Sequence, residues 1–194
     1  MISKKVNLAL KVASRAHRDQ MRKGTDIPYI SHTFAVAMII SQYTSDEDVI
    51  IAGVLHDILE DVKPTVYSET AMRNDFGDEV VEIVKDVSEE KTAGKPEKPW
   101  AERKKSYLTH LSSLEDQRPL MVSTADKIHN LTDILEEYEM VGDSIWQKFN
   151  ASKDDQLWFY NEFLNVIKKK HIPERMKIDM ALLVDRLKSA VNQE

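Results

Sequence analysis

Ionisable residues interrupt apolar sequence at three places in this chain of 194 residues. His56 and Asp57 stand inside IIAGVLHDILED, His32 lies just ahead of FAVAMII, and Asp126 follows PLMVSTA at the head of DKIHNLTD. A carboxylate in a buried helix is costly unless it is paired or bound to metal. Two imidazoles and two carboxylates could converge on one divalent cation, and mixed N/O ligation suits Mn²⁺, Fe²⁺ or Zn²⁺ better than Ca²⁺. Four protein ligands on a six-coordinate ion leave two positions for water and substrate, as catalysis requires. Each residue alone has a plainer explanation. A lone buried histidine is more often a hydrogen-bonded core residue, and an aspartate after an apolar run is most often a helix cap. Spacing alone does not join His32 and Asp126 to the His56–Asp57 pair.

The elements that must position these groups are helical, because apolar residues recur at helical spacing almost everywhere. Ile2, Val6, Ala9, Ala13 and Ala16 form one stripe on a first helix of about residues 3–20, which RKGTDIPYI breaks with Gly24 and Pro28. Ser31 is placed to cap a second helix reaching about Tyr43. Ser45 with Asp48 opens a third across DEDVIIAGVLHDILED, closed by Pro64. Its middle is apolar on nearly every side, so it should be central and buried. Shorter helices are expected at about 67–75 and 78–89, separated by Gly77 as a C-terminal cap. After the polar loop EKTAGKPEKP come helices of about 100–114, 118–140 (ended by Gly142) and 153–170, opened by Ser152 with Asp155. A last helix follows Pro173, with Met176, Met180, Leu183 and Leu187 at core spacing. Strand-like alternation and internal repeats are absent. The expectation is an all-α, bundle-like single domain over residues 1–194, with about nine or ten helices.

Composition narrows the chemistry. Zero cysteine excludes thiolate nucleophiles, disulfides and thiolate zinc sites, and five glycines leave little for phosphate-cradling loops. No stretch approaches the ~20 apolar residues of a membrane span. The N-terminal MISKKVNLALKVASRAHRD lacks the apolar region of a signal peptide, so a cytoplasmic protein without a membrane partner is expected. The net charge of −6 argues against long nucleic acid as a partner. That average hides two basic stretches. Residues 1–24 hold seven Lys/Arg against one acid, and residues 91–105 hold six against two. They are either solvated faces of an acidic protein or the border of a pocket for a small polyanion.

The ordered set HRDQMRKG, PYISH, LHDILED, FGDEV and ADKIHN resembles the HD-domain phosphohydrolases. Within them it is similar to the hydrolase domain of RelA/SpoT alarmone enzymes and their small stand-alone relatives, from about residue 8 to about residue 165. The resemblance implies an HD-domain helical bundle in which His32, His56, Asp57 and Asp126 bind one metal, in practice Mn²⁺. It implies that Glu60 and Asp61 handle the attacking water. Glu60 lies four residues after His56 and three after Asp57, on the same helix face, which suits that role. The resemblance places the nucleotide base beside Arg22 and Lys23 and uses Asn130, one turn after Asp126. His17 reads as structural support for that loop, and His129 stands just before Asn130. Lys91, Lys98, Arg103, Lys104 and Lys153 are candidates for diphosphate contacts, one or two of them being expected to act so.

The chain departs from the family pattern at Thr33, where proline is frequent, at Val62, where threonine is usual, and at Asp133, where long-form enzymes often have threonine. No departure removes a ligand, but together they bear on the substrate. The expected activity is metal-dependent hydrolysis of a small phosphorylated nucleotide, foremost guanosine 3′,5′-bis(diphosphate) (ppGpp) to GDP and pyrophosphate. A phosphatase of another nucleotide, such as a phosphorylated dinucleotide, or an inactive metal-bearing nucleotide sensor are the alternatives.

Overall fold

A computed structural model describes residues 2–89 and 98–192. Ten α-helices account for most of them: α1 (Lys4–Ala16), α2 (Ile30–Ile40), α3 (Glu47–Leu55), α4 (Ile58–Asp61), α5 (Glu69–Phe76), α6 (Asp78–Val87), α7 (Trp100–Ser113), α8 (Arg118–Val141), α9 (Lys153–Lys168) and α10 (Glu174–Val191). A 3-10 segment, Gly142–Lys148, joins α8 to the α9 arm. The only bridge outside helices among the described residues pairs Met21 with Pro28. The all-α expectation holds. No helix among the described residues is long and apolar enough to cross a membrane.

The core forms around α3, where Val49, Ile51, Ala52, Val54 and Leu55 are all fully buried. It packs against α1, α2, α6 and α8, as its all-round apolar sequence demands. Gly53 lets α2 approach closely: a Cβ at this position would stand 2.3 Å from Ile40 Cδ1. Helix α8 runs through the bundle with Leu120 to Asp126 buried, and α9 and α10 close its far side. Gly77 (φ +95°) and Gly142 (φ +60°) end α5 and α8 in the left-handed region open to glycine.

Local chemistry shifts several boundaries. Ser3 caps α1, which stops at Ala16 rather than near residue 20, because the chain turns as Gln20 N–H donates to His17 O. Helix α2 starts at Ile30 without a side-chain cap. Ser31 Oγ instead donates back to Pro28 O across 2.8 Å. Asp46, not Ser45, caps α3 by accepting from Asp48 N–H. The Ser152/Asp155 capping box expected for α9 is present with both of its bonds.

The larger correction concerns DEDVIIAGVLHDILED. This stretch is not one helix but two, α3 and α4, with His56 and Asp57 at the joint. His56 Nδ1–H donates to Gly53 O at 2.8 Å, taking the carbonyl that Asp57 N–H would use in an unbroken helix.

Candidate metal centre

The joint between α3 and α4 aims two side chains inward at once. His56 Nε2 lies 2.9 Å from Asp57 Oδ2, and His32, in the first turn of α2, brings its Nε2 to 3.6 Å from the same oxygen. Asp126, midway along α8, puts Oδ1 3.1 Å from His32 Nε2 and 3.8 Å from His56 Nε2. Donors bonded to one cation at about 2.1 Å stand roughly 3.0–3.4 Å apart in octahedral or tetrahedral arrays, so these separations suit a single ion. One ligand atom each from His32, His56 and Asp57 falls within a 4.8 Å cluster, with Asp126 against it.

The hydrogen bonds around the cluster favour a cation at its centre. With Nδ1–H committed to Gly53 O, a neutral His56 carries a bare lone pair on Nε2, facing the Asp57 and Asp126 carboxylates, which as anions have no proton to give it. His32 Nδ1 meets His129 Nδ1 at 3.0 Å, which leaves its Nε2 facing the carboxylates. Each carboxylate also accepts from residues outside the cluster. Tyr29 Oη donates to Asp57 Oδ2 at 2.5 Å, Asn130 Nδ2 donates to Asp126 Oδ1 at 2.6 Å, and Lys127 Nζ donates to Asp126 Oδ2 at 2.5 Å. Outer contacts of this kind orient metal ligands and tune their basicity.

Charge follows the same logic. Burial pushes the His56 imidazole down, but the charges of Asp57 and Asp126 outweigh it and lift its pKa to about 9. Burial would raise both aspartates, yet His56 and His32 beside Asp57, and Lys127 beside Asp126, hold them below the usual carboxylate range. Burial, helped by the charge of His32, lowers His129.

A cavity of ≈ 40 Å³ opens beside the cluster, lined by His56, Asp57, Glu60, Glu89, Asp126 and Lys127 among others. It has room for several water-sized groups. Glu60 therefore shares the cavity with three of the four candidate ligands, although the helix break separates it from His56. Asp61 ends α4 and is exposed, and Gln20 Nε2 donates to its Oδ2 at 3.1 Å.

On the opposite flank, Arg22 Nη2 donates to Asn130 Oδ1 at 3.0 Å and to Asp133 Oδ2 at 2.7 Å. Its guanidinium lies 5.7 Å from the centre of the Tyr29 ring. Arg22 and Asn130 are thus brought together, and Asp133 joins them. Lys23 and Lys98 are exposed. Lys104 Nζ pairs with Glu89, which Arg103 Nη1 also reaches at 3.3 Å. Burial and the nearby Lys127 charge lower Lys104, while Glu89, raised by burial, is brought down by its lysine and arginine neighbours. Lys153 lies 3.8 Å from Asp143. Lys91 lies outside the described residues.

Tyr29, Gln20, Glu89 and Lys127 were not among the residues singled out from sequence. Tyr29 and Lys127 each lie inside a quoted motif, PYISH and ADKIHN, which was the signal available for them. Gln20 lies inside the quoted motif HRDQMRKG, and nothing local marked Glu89.

A family model described as an HD domain matches residues 9–157. The GTP pyrophosphokinase of Streptomyces coelicolor is 35% identical over 128 residues, 66% of this chain and 14% of that protein. The bifunctional (p)ppGpp synthase/hydrolase SpoT of Escherichia coli is 32% identical over 128 residues, 66% of this chain and 18% of its own length. The chain therefore spans less than a fifth of these relatives. It spans 67% of the guanosine-3′,5′-bis(diphosphate) 3′-pyrophosphohydrolase MESH1 of Xenopus tropicalis, at 35% identity over 65% of this chain. Among solved structures, one described as a metazoan ortholog of SpoT that hydrolyzes ppGpp superposes with a TM-score of 0.75 at 23% identity, covering 95% of this chain and 96% of that one. The likeness there is one of fold. The structure of lmo0812 from Listeria monocytogenes gives 0.67 at 30% identity, covering 81% and 94%.

Proposed function

The chain belongs to the HD-domain family, and from that premise we propose that it is a Mn²⁺-dependent 3′-pyrophosphohydrolase of ppGpp, working as a single HD domain in the cytoplasm. The observation that carries this reading is the convergence of His32 Nε2 and His56 Nε2 on the Asp57 and Asp126 carboxylates. The similarity to a relative named for 3′-pyrophosphohydrolysis supports the substrate.

His32, His56, Asp57 and Asp126 would hold the metal, which when bound supplies a Lewis acid beside the phosphoryl group and lowers the pKa of water. The remaining work falls to the chain. Glu60, in the cavity wall, accepts a proton from the attacking water as its oxygen bonds to the phosphorus next to the ribose 3′-oxygen. The bond from that phosphorus to the 3′-oxygen breaks, the oxygen takes up a proton, and pyrophosphate leaves GDP behind. Asp61, on the next residue, orients the water or relays the proton. Lys127 offsets negative charge at the cavity wall, with Lys104 and Arg103 further out. The nucleoside lies toward Arg22, Lys23 and Asn130. Lys91 and Lys153 are the remaining candidates for diphosphate contact.

The test is release of pyrophosphate from ppGpp by the purified protein with Mn²⁺, compared with Fe²⁺ and Zn²⁺ and with a panel that includes phosphorylated dinucleotides. Asp57→Ala is expected to abolish release. Faster turnover of another nucleotide would move the substrate assignment, and tight ppGpp binding without turnover under any metal would favour a sensor.

A further inference from the structure

Asp61 closes a four-residue helix at its C-terminal end, where the helix dipole disfavours a carboxylate, and its side chain is exposed. A group expected to act on water from such a place needs an external hold. Gln20 provides one from 41 residues away, its Nε2 donating to Asp61 Oδ2 at 3.1 Å. The backbone of Gln20 is pinned on both sides: its N–H donates to His17 O at 3.0 Å and its carbonyl accepts from Tyr29 N–H at 2.8 Å. The far end of its amide meets His17 Nδ1 at 2.7 Å.

The chemistry of the three groups fixes the direction of every bond. An ionised Asp61 only accepts, so the amide NH₂ of Gln20 must face it and Oε1 must face His17. His17 Nδ1 must then carry the proton. Its Nε2, buried and without a partner, is the bare nitrogen of that neutral tautomer. His17 itself is 1% exposed and lies against the Tyr29 ring, 5.1 Å between centroids, so it cannot swing away to release the amide.

We propose that Gln20 is a positioning residue for Asp61, held in its donating orientation by the Nδ1–H tautomer of His17. The relay ties the loop that carries Arg22 and Tyr29 to the acidic turn of α4. This inference rests on the hydrolytic reading for its effect on rate, but the relay itself is testable without any substrate.

Two kinds of measurement decide it. In the full-length protein, ring ¹⁵N resonances of His17 are expected to show Nδ1–H with an unprotonated Nε2, and the Gln20 side-chain amide resonances should move in Asp61→Asn. The opposite tautomer, or an amide unmoved by Asp61→Asn, overturns the relay whether or not ppGpp is the substrate. For rate, pyrophosphate release from ppGpp at saturating Mn²⁺ is compared in Gln20→Glu, Asp61→Asn and the double variant. Gln20→Glu keeps an acceptor for His17, removes the donor to Asp61 and sets a like charge against it. It should lower kcat about tenfold, with KM and Mn²⁺ affinity within about twofold of the parent, as expected for a misplaced group. The double variant should be no slower than Asp61→Asn alone, because Gln20 acts through Asp61. Losses that multiply, or an unchanged kcat in Gln20→Glu, overturn the proposal. Absence of pyrophosphate release from the parent protein would instead count against the hydrolytic reading, with the resonances still judging the relay.

Discussion

Tyr29 and Asp57 are bonded across 28 residues of sequence, the phenol donating to the carboxylate oxygen that also faces His56 and His32. Burial raises the Tyr29 phenol, and the adjacent Asp57 charge raises it further, so the hydroxyl keeps its proton and remains a donor. Tyr29→Phe keeps the ring contacts with His17 and His32 and removes only that donor. Metal affinity should fall about tenfold, the lower end of what outer contacts contribute. Isothermal titration with Mn²⁺ checks this. An unchanged affinity would mean that the Tyr29 bond does not orient Asp57.

Proton and cation compete at His56. In the metal-free protein its pKa is raised to about 9 by Asp57 and Asp126 in spite of burial. The stabilisation of the fold by this imidazolium is complete below its unfolded value of about 6.5 and disappears as pH rises through about 9. A metal needs the bare nitrogen, so its binding displaces that proton. Apparent Mn²⁺ affinity should therefore climb about tenfold per pH unit from about 7 to 9 and flatten above. Calorimetry in buffers of different ionisation enthalpy should count about one proton released per ion near pH 7.5. A flat affinity profile would contradict the assignment of His56 as a ligand.

Gly53 serves both packing and orientation. Ile40 is fully buried, so a Cβ 2.3 Å from its Cδ1 has to displace a side chain with little free space. Gly53→Ala should cost about 1–3 kcal/mol, the range for overpacked cores. It should also weaken Mn²⁺ binding, because the carbonyl that holds His56 Nδ1 shifts with the helix. Urea unfolding in chelator, together with a metal titration, measures both effects.

Lys127 places a buried ammonium against Asp126, and the Asp126 charge holds that lysine protonated against the pull of burial. Lys127→Met leaves the carboxylate cluster short of a positive charge. Breaking a buried ion pair in this way costs about 3–5 kcal/mol. The loss should be largest in the metal-free protein and smaller with Mn²⁺, whose charge substitutes in part. Equal losses with and without metal, measured by urea unfolding, would show that the ion does not share this electrostatic field.

The four candidate ligands were visible in the sequence because imidazoles and carboxylates inside apolar runs break the pattern around them. Most helices were visible for the complementary reason, since their apolar stripes repeat without interruption. The break between α3 and α4 was hidden because it depends on a side chain taking a backbone carbonyl, and residue type alone does not show which acceptor His56 will choose. Gln20 and Tyr29 were hidden by distance: their partners Asp61 and Asp57 lie on another element, and no periodicity links them. Basic residues near the site were easy to see and hard to assign. Lys104 and Arg103 turn toward Glu89, a partner that charge counting does not reveal.

Almost half of the chain lies between His32 and Asp126. An ion bridging them ties the second helix to the eighth and becomes a latch on the finished fold. Contacts so far apart in sequence form late, after the loops between them have been ordered. A latch closed after the folding barrier leaves the folding rate nearly unchanged and slows escape from the native state. The metal that equips the site for chemistry would then also set the lifetime of the folded chain.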